Sequence, residues 1–320
     1  MSETIVQIER LRKSYGPIVA LDGVSLAIEK GTIFGLLGPN GAGKTTTIKI
    51  LTTLARPDEG RATVAGVDLL QEPAKVRSLI GYVPQELTVD PYLTVREHMR
   101  YYGDLYHLPA TVREAQAREL LELLGLVGSE DRRVKFFSGG MKKKLDLACG
   151  LLHRPPVILL DEPSLGLDVH VRREVWDHIL RLRDQGTTVL LCTNYMDEAE
   201  RLCDRLAIID HGRIVVTGTP GDLRGQLKKD VVSIEVERVE QDHGGAVRTL
   251  QAALSNLEGV QGTVADGTRI RVYVESDEKA LLRILDTART VNIPIHSITH
   301  SRPGLDEVFL QHTGHPLDES

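Results

Sequence analysis

Apolar and polar positions sort the chain into elements before any motif is considered. Residues 5–8 and 24–28 alternate in character and predict half-buried strands. Between them Lys13-Ser14-Tyr15-Gly16 predicts a turn that carries an aromatic. The continuous apolar run Thr32-Ile33-Phe34-Gly35-Leu36-Leu37 predicts a fully buried strand, and Thr46-Thr47-Ile48-Lys49-Ile50-Leu51 begins a helix. A turn at Pro57-Asp58-Glu59-Gly60 leads into a strand at 61–64, and Ile80-Gly81-Tyr82-Val83 is a short strand ended by Pro84. Residues from about 94 to 126 carry a helical pattern, with Leu120, Leu121, Leu123 and Leu124 forming a broad apolar stripe. This stretch lies between strand-rich parts and reads as an inserted subdomain. Further buried strands are predicted at 157–160, 189–193 and 206–210, with helical segments between them. That alternation predicts an α/β fold with a mainly parallel, doubly wound sheet. Such sheets bind ligands at the carboxyl ends of their strands.

After about residue 225 the pattern changes. A strand at 231–236, a helix at 246–257, a hairpin of 260–264 and 269–274 turning at Asp266-Gly267, and an amphipathic helix at 277–290 capped by Asp277 follow one another. A strand at 293–298 and a helix at 304–311 close the series. The order β-α-β-β-α-β is that of a ferredoxin-like α+β unit, which by itself assigns no role. A length of 320 residues suits two domains. The expected organisation is 1–220, with its helical subdomain at about 86–137, a polar linker at 221–230, and an accessory domain at 231–320.

Composition narrows the chemistry. Apolar residues at 41% and charged residues at 26% are ordinary for a water-soluble fold. A net charge of −6 and only 4% aromatic residues argue against a nucleic-acid partner. Cys149, Cys192 and Cys203 lack CxxC spacing and read as reduced thiols. The N-terminus has no apolar leader pattern, and no run approaches the ~18 apolar residues of a membrane span. Work at a membrane would therefore require another chain to supply the span.

The candidate chemistry starts at Gly38-Pro39-Asn40-Gly41-Ala42-Gly43-Lys44-Thr45-Thr46, which fits G-x-x-x-x-G-K-[ST] between a predicted strand and helix. Glycines let backbone N–H groups turn inward around phosphate oxygens, and the helix N-terminus adds its positive dipole end. Lys44 would reach the β- and γ-phosphates, and the Thr45 hydroxyl would sit on Mg²⁺. Asp161-Glu162 ends a predicted strand of four aliphatic residues. In a P-loop protein Asp161 there would hold Mg²⁺, and Glu162 would orient and polarise the attacking water.

Phe137-Ser138-Gly139-Gly140-Met141, followed by a helix from 142, resembles the LSGGQ signature of ABC transporter ATP-binding subunits. The resemblance spans roughly residues 5–220. It implies a cassette with a RecA-like core, an antiparallel β subdomain and the helical insertion. It further implies that ATP is sandwiched head to tail between the P-loop of one copy and Ser138, Gly139, Gly140 and Met141 of a second. By the same resemblance Tyr15 stacks on adenine, Gln85 is the Q-loop ligand of Mg²⁺ and water, and Asp168 ends the D-loop Ser164-Leu165-Gly166-Leu167-Asp168, which contacts the opposite copy.

Two departures stand out. Asn194 occupies the position where the family carries a γ-phosphate-contacting histidine. Asparagine can donate a hydrogen bond but carries no charge, so hydrolysis is expected to persist at a lower rate, unless asparagine is an equivalent local solution. Met141 replaces the signature glutamine, and Lys142-Lys143-Lys144 follows it, either as a solvated basic face or as charge offered to the opposite triphosphate. Phe137-Ser138-Gly139-Gly140-Met141, Leu145-Asp146-Leu147-Ala148, Asn194-Tyr195-Met196-Asp197-Glu198-Ala199 and the C-terminal Leu305-Asp306-Glu307-Val308-Phe309-Leu310 resemble daunorubicin-type drug-resistance exporters. That implies a separate ABC-2-type permease, a hydrophobic cargo, and a peripheral position on the cytoplasmic face of the membrane. The rival classes are a soluble ATPase clamp on ribosome or DNA, and an ATPase regulated by its tail. The clamp class usually has two cassettes or a long coiled coil, neither of which occurs here.

Overall fold

The computed structural model describes residues 3–227, 229–236, 245–275, 280–291, 293–301 and 304–315. The chain opens on a hairpin, β1 (Thr4–Tyr15) and β2 (Ile18–Glu29). Each strand runs to 12 residues, well beyond the expected 5–8 and 24–28. Register shifts between Ile8 and Leu11 and between Leu11 and Arg12 break the two-residue alternation, which hid the rest of both strands. The expected turn moves with them: Tyr15 closes β1, and the chain reverses at Gly16-Pro17.

Then come β3 (Ile33–Leu37), the glycine loop, α1 (Lys44–Leu51), β4 (Glu59–Val64), β5 (Val67–Asp68), α2 (Pro73–Leu79) and β6 (Ile80–Val83). The helical insertion carries α3 (Val95–Leu105) and α4 (Ala110–Leu123), and α5 (Gly139–Leu151) leads back to β7 (Val157–Asp161). Next are α6 (Val169–Asp184), β8 (Thr188–Thr193), α7 (Met196–Leu202), β9 (Arg205–Asp210) and β10 (Arg213–Gly218). α3 starts where it does because Thr94 and Glu97 form a reciprocal capping box, with Glu97 Oε2 accepting from the Thr94 amide at 2.7 Å. At the end of α4 the predicted stripe turns Leu121, and Leu124 just beyond the helix, inward.

These elements build two sheets. The first, β2-β1-β4-β5, is antiparallel. The second, β10-β9-β3-β8-β7-β6, is parallel from β9 to β6 and antiparallel only at β10. One apolar core joins them, with Ile8, Leu26 and Val64 of the first sheet and Phe34, Leu36 and Leu190 of the second. Leu37 pairs with Thr193 and Asp161 with Cys192, so β3, β8 and β7 end level at their carboxyl edge.

The units divide at Met1–Pro220 with His312–Ser320, and Gly221–Gln311. α8 (Pro220–Gly225) and the first residues of β11 (Lys229–Val236) occupy the stretch expected as a polar linker. The second unit continues with α9 (Gly245–Ser255), β12 (Val260–Asp266), β13 (Arg269–Glu275), α10 (Ala280–Thr290), β14 (Ile295–Ser301) and α11 (Leu305–Thr313). Its strands pair antiparallel in the order β12-β13-β11-β14, the ferredoxin-like arrangement. Val232, Ile234, Ile270 and Val272 pack with Leu250 and Leu254 of α9 and Ile284 of α10. Asp277, expected as a helix cap, lies outside the described residues.

Two packing details generate tests. A Cβ on Gly140 would run into Val171 Cγ1, so only glycine lets the start of α5 pass the start of α6. Gly140→Ala is expected to lower stability by about 1–3 kcal/mol in urea unfolding. Adding Val171→Ala should return much of that loss, and no recovery in the double variant would refute the packing account. His153 stacks on Tyr106 at 3.6 Å between ring centroids and bonds the Ile80 carbonyl at 3.0 Å. Burial pushes its pKa down to about 4. Between that value and the ordinary pKa near 6.5, the unfolded chain binds more protons than the folded one. This contribution is therefore complete above about pH 6.5 and is lost as pH falls toward 4. From pH 7 to pH 5 the urea midpoint of the wild type should fall further than that of His153→Phe.

Candidate functional site

The site is built on the level carboxyl edge of β3, β7 and β8. The glycine loop leaves β3, and α1 begins at Lys44. A Cβ on Gly38 would strike the Ile209 carbonyl, so the loop lies flush against β9 only because that residue is glycine. The loop is further held by the Gly212 amide, which donates to Ala42 O at 2.9 Å. Pro39, Asn40, Gly41 and Thr46 lie along the accessible side of the turn.

Lys44 is 4% exposed, and its Nζ donates to Gly38 O at 2.6 Å and Pro39 O at 3.1 Å. The same ammonium lies 3.5 Å from Glu162 Oε1, and Glu162 is itself only 5% exposed. A buried charge of either sign needs a partner, and these two supply each other. Glu162 adopts φ 47°, a left-handed conformation uncommon for a residue other than glycine, and its amide donates to Cys192 O at 2.8 Å. That bond ties the turn after β7 to the end of β8.

Asp161 is equally buried, and its Oδ1 has no hydrogen-bond partner. Burial raises its pKa, while the Thr45 hydroxyl, hydrogen-bonded to the carboxylate, pulls it back. Tyr82 is pushed up to about 12 by burial first and by the Asp161 charge second. Asn194 follows β8 and is buried, with its Oδ1 unpartnered. The backbone around it is fixed by Thr193, whose carbonyl accepts from Gly38 N at 3.4 Å and whose hydroxyl accepts from Tyr195 N at 2.9 Å.

The structure thus brings Gly38, Lys44, Thr45, Asp161 and Glu162 together, with Asn194 on the adjoining strand end. The remaining candidates stand on other elements. Tyr15 is 47% exposed at the end of β1, with Lys13 Nζ 5.4 Å from its ring centroid. Gln85 is exposed in the loop after β6. Ser138 caps α5, its Oγ accepting from Met141 N at 3.3 Å, and Gly139 beside it is exposed. Asp168 caps α6 by accepting from His170 N and Val171 N, both at 3.0 Å.

Two of the three lysines after Met141 are engaged within the chain, as neither alternative foresaw. Lys143 is buried, and its Nζ donates to Pro84 O at 2.9 Å. Lys144 pairs with Glu174 at 2.6 Å. One turn further along α5, buried Asp146 accepts from the hydroxyl and amide of Thr88. Residues 143 and 146 thus hold both flanks of the loop that contains Gln85. Glu198 was also missed: it is fully buried and accepts from Trp176 Nε1 at 2.8 Å, and burial raises its pKa. Only Asp146, set between Leu145 and Leu147, stood out in the sequence as a charge within an apolar stretch; Lys143 and Glu198 are flanked by other charged residues.

Comparison with known proteins agrees with this geometry. The ABC transporter profile matches residues 21–165, and that of the DrrA1-3-like ATP-binding protein C-terminal domain matches residues 218–313. The chain is 41% identical to the daunorubicin resistance ATP-binding protein DrrA2 of Streptomyces coeruleorubidus, over 98% of this chain and 97% of that protein. It is 33% identical to the linearmycin resistance ATP-binding protein LnrL of Bacillus subtilis, over 98% and 99%. A dimeric ATP-binding cassette solved in a post-hydrolysis state with ADP and phosphate superposes with a TM-score of 0.61 at 26% identity, covering 67% of this chain and 98% of that one. The level strand ends, the buried Lys44–Glu162 pair and the relatives over nearly the whole length lead to one conclusion: the chain belongs to the ATP-hydrolysing subunits of ABC transporters, in the group that carries a DrrA-like C-terminal domain.

Proposed function

We propose that this subunit powers export of a drug or other hydrophobic compound through a separate ABC-2-type permease at the cytoplasmic face of the membrane. The observation that carries the catalytic part is the convergence of Lys44, Thr45, Asp161 and Glu162 on one strand edge. The export part rests on relatives named for daunorubicin and linearmycin resistance, matched over almost the entire chain. No helix among the described residues is long and apolar enough to cross a membrane, which fits a division of labour with a second chain.

In this reading the amides of 38–46 cradle the phosphates of ATP and Lys44 leaves its carbonyl partners for the phosphate oxygens. The donor set fits Mg²⁺: a Thr45 hydroxyl, an Asp161 carboxylate with one buried oxygen unpartnered, and the amide oxygen of Gln85 are all hard oxygens. When bound, that ion would supply positive charge to offset the charge developing on the phosphate oxygens. Glu162 accepts the proton of the attacking water. Asn194 donates its amide N–H to the departing phosphate. Tyr15 lies under the adenine. Ser138, Gly139, Gly140 and Met141 complete the site from a second copy, with Asp168 at the same interface. A cassette homologue solved as a dimer with ADP and phosphate supports that pairing.

Glu162→Gln should lower ATP turnover by roughly 10²–10⁴-fold while leaving nucleotide binding intact, as read by single-turnover assay and equilibrium binding. Asn194→His should raise turnover by about tenfold at unchanged ATP affinity, because a charge-assisted bond replaces a neutral one. An unchanged or lower rate with unaltered affinity would make asparagine an equivalent solution. Affinity capture from solubilised membranes should recover one integral-membrane chain. Recovery of ribosomes or nucleic acid in its place would favour the soluble-clamp class.

A further inference from the structure

We propose that Asp210, His211 and His315 form a zinc site that ties the C-terminal segment of the chain to the turn bracing the P-loop. The three residues converge although His315 is distant in sequence from the other two. Residues 312–315 belong to the first unit, the same unit as β9 and β10. One ligand atom from each of the three lies within 4.8 Å of the others. His315 Nε2 is 3.4 Å from Asp210 Oδ2, and His211 Nε2 is 3.8 Å from the same oxygen. Tetrahedral zinc with bonds of about 2.0–2.1 Å spaces neighbouring ligand atoms by roughly 3.3–3.4 Å. The 3.4 Å separation matches that edge, and the 3.8 Å one exceeds it by about 0.4 Å, within reach of a side-chain adjustment of the exposed His211. Both separations are long for a charge-assisted hydrogen bond, which settles at about 2.7–2.9 Å.

Asp210 supplies the second observation. It is 9% exposed, and its Oδ1 is buried without a hydrogen-bond partner. A carboxylate held that deep normally spends both oxygens. Here one oxygen faces two imidazoles and the other faces no donor, which suits a ligand that takes a cation. His211 is 88% exposed on its side chain, so the ion has an open path from solvent and room for a water as a further ligand. The imidazole rings meet edge to face at 6.2 Å rather than stacking, so their nitrogens can converge. Two imidazoles and a carboxylate select zinc or a similar transition ion over magnesium, which prefers oxygen throughout. The three cysteines are buried and do not compete for it.

The place of the site gives it consequence. His211-Gly212 is the turn between β9 and β10. Gly212 N donates to Ala42 O at 2.9 Å, and Gly212 O accepts from Asp22 N at 2.8 Å. Zinc would therefore fasten the tail one residue from a direct contact with the P-loop.

The test uses the full chain, stripped of metal and titrated with ZnCl₂ in saturating Mg²⁺ against a chromophoric chelator. One equivalent should bind, and the double variant His211→Ala/His315→Ala should bind about 100-fold more weakly or not at all. Cobalt as a probe should give the intense visible bands of a tetrahedral site in the wild type and lose them in the double variant. Neither histidine belongs to the nucleotide site, so ATPase activity measured with Mg²⁺ and without zinc, and circular dichroism, should be unchanged and report intact folding. If the double variant unfolds, the single variant His315→Ala carries the comparison. Equal zinc affinity in wild type and variant, or no equivalent bound by the wild type, would overturn the proposal.

Discussion

The buried ammonium of Lys44 is the constraint on which the rest of the site depends. Removing it from water is costly unless several oxygens surround it. Two loop carbonyls and the Glu162 carboxylate do so, at 2.6, 3.1 and 3.5 Å. Each partner must then be fixed in turn. The carbonyls are fixed because Gly38 lies flush on Ile209 and Ala42 is held by Gly212. Glu162 is fixed by its bond to Cys192 O, at the expense of a left-handed backbone. Breaking such a pair from one side strands the other charge, at about 3–5 kcal/mol. The cluster is therefore cooperative: loop, acid turn and β8 hold one another, and a phosphate group can exchange for the carbonyls without leaving Lys44 unpartnered.

Strand register turns that local constraint into a site. Residues of β3, β7 and β8 are far apart in sequence, yet their pairing brings Leu37, Asp161 and Thr193 to one edge. Parallel strands buried on both faces need predominantly apolar sequence, and all three have it. Polar residues then begin where the apolar runs stop, so the chemistry accumulates at the strand ends. Asp161 shows the consequence: still inside the sheet, it is buried and its carboxyl pKa is raised, while one oxygen remains unpartnered.

Most of this was legible because it is written in contiguous residues. The glycine loop, the acid pair and the buried strands each announce themselves within ten positions. The ferredoxin-like unit was equally plain, since antiparallel strands with one wet face alternate cleanly. Legibility failed where bonds join distant segments. Lys143 and Pro84 are 59 residues apart, and Trp176 and Glu198 are 22 apart. A lysine on a helix reads as a solvent residue until the carbonyl it reaches is known. The long hairpin was lost for a different reason. Its bulges reset the period of two, so only the regular ends of β1 and β2 matched a strand pattern.

The missed contacts explain how the two halves of the proposed site would communicate. α5 starts at the Ser138 cap and the Gly140 crossing, the part assigned to the partner copy's ATP. One turn on, Lys143 grips the carbonyl before Gln85, and Asp146 grips Thr88 beyond it. A helix is stiff over that span, and Lys143 and Asp146 are both buried, so each depends on the loop group it holds. A displacement at the start of α5 must then move the Gln85 loop, or leave the Lys143 ammonium and the Asp146 carboxylate unpaired inside the protein. The same loop leads into α3 of the helical insertion. In the proposed reading, nucleotide contact at the signature end would thus be passed to the insertion through α5, with Lys143 and Asp146 as its pins.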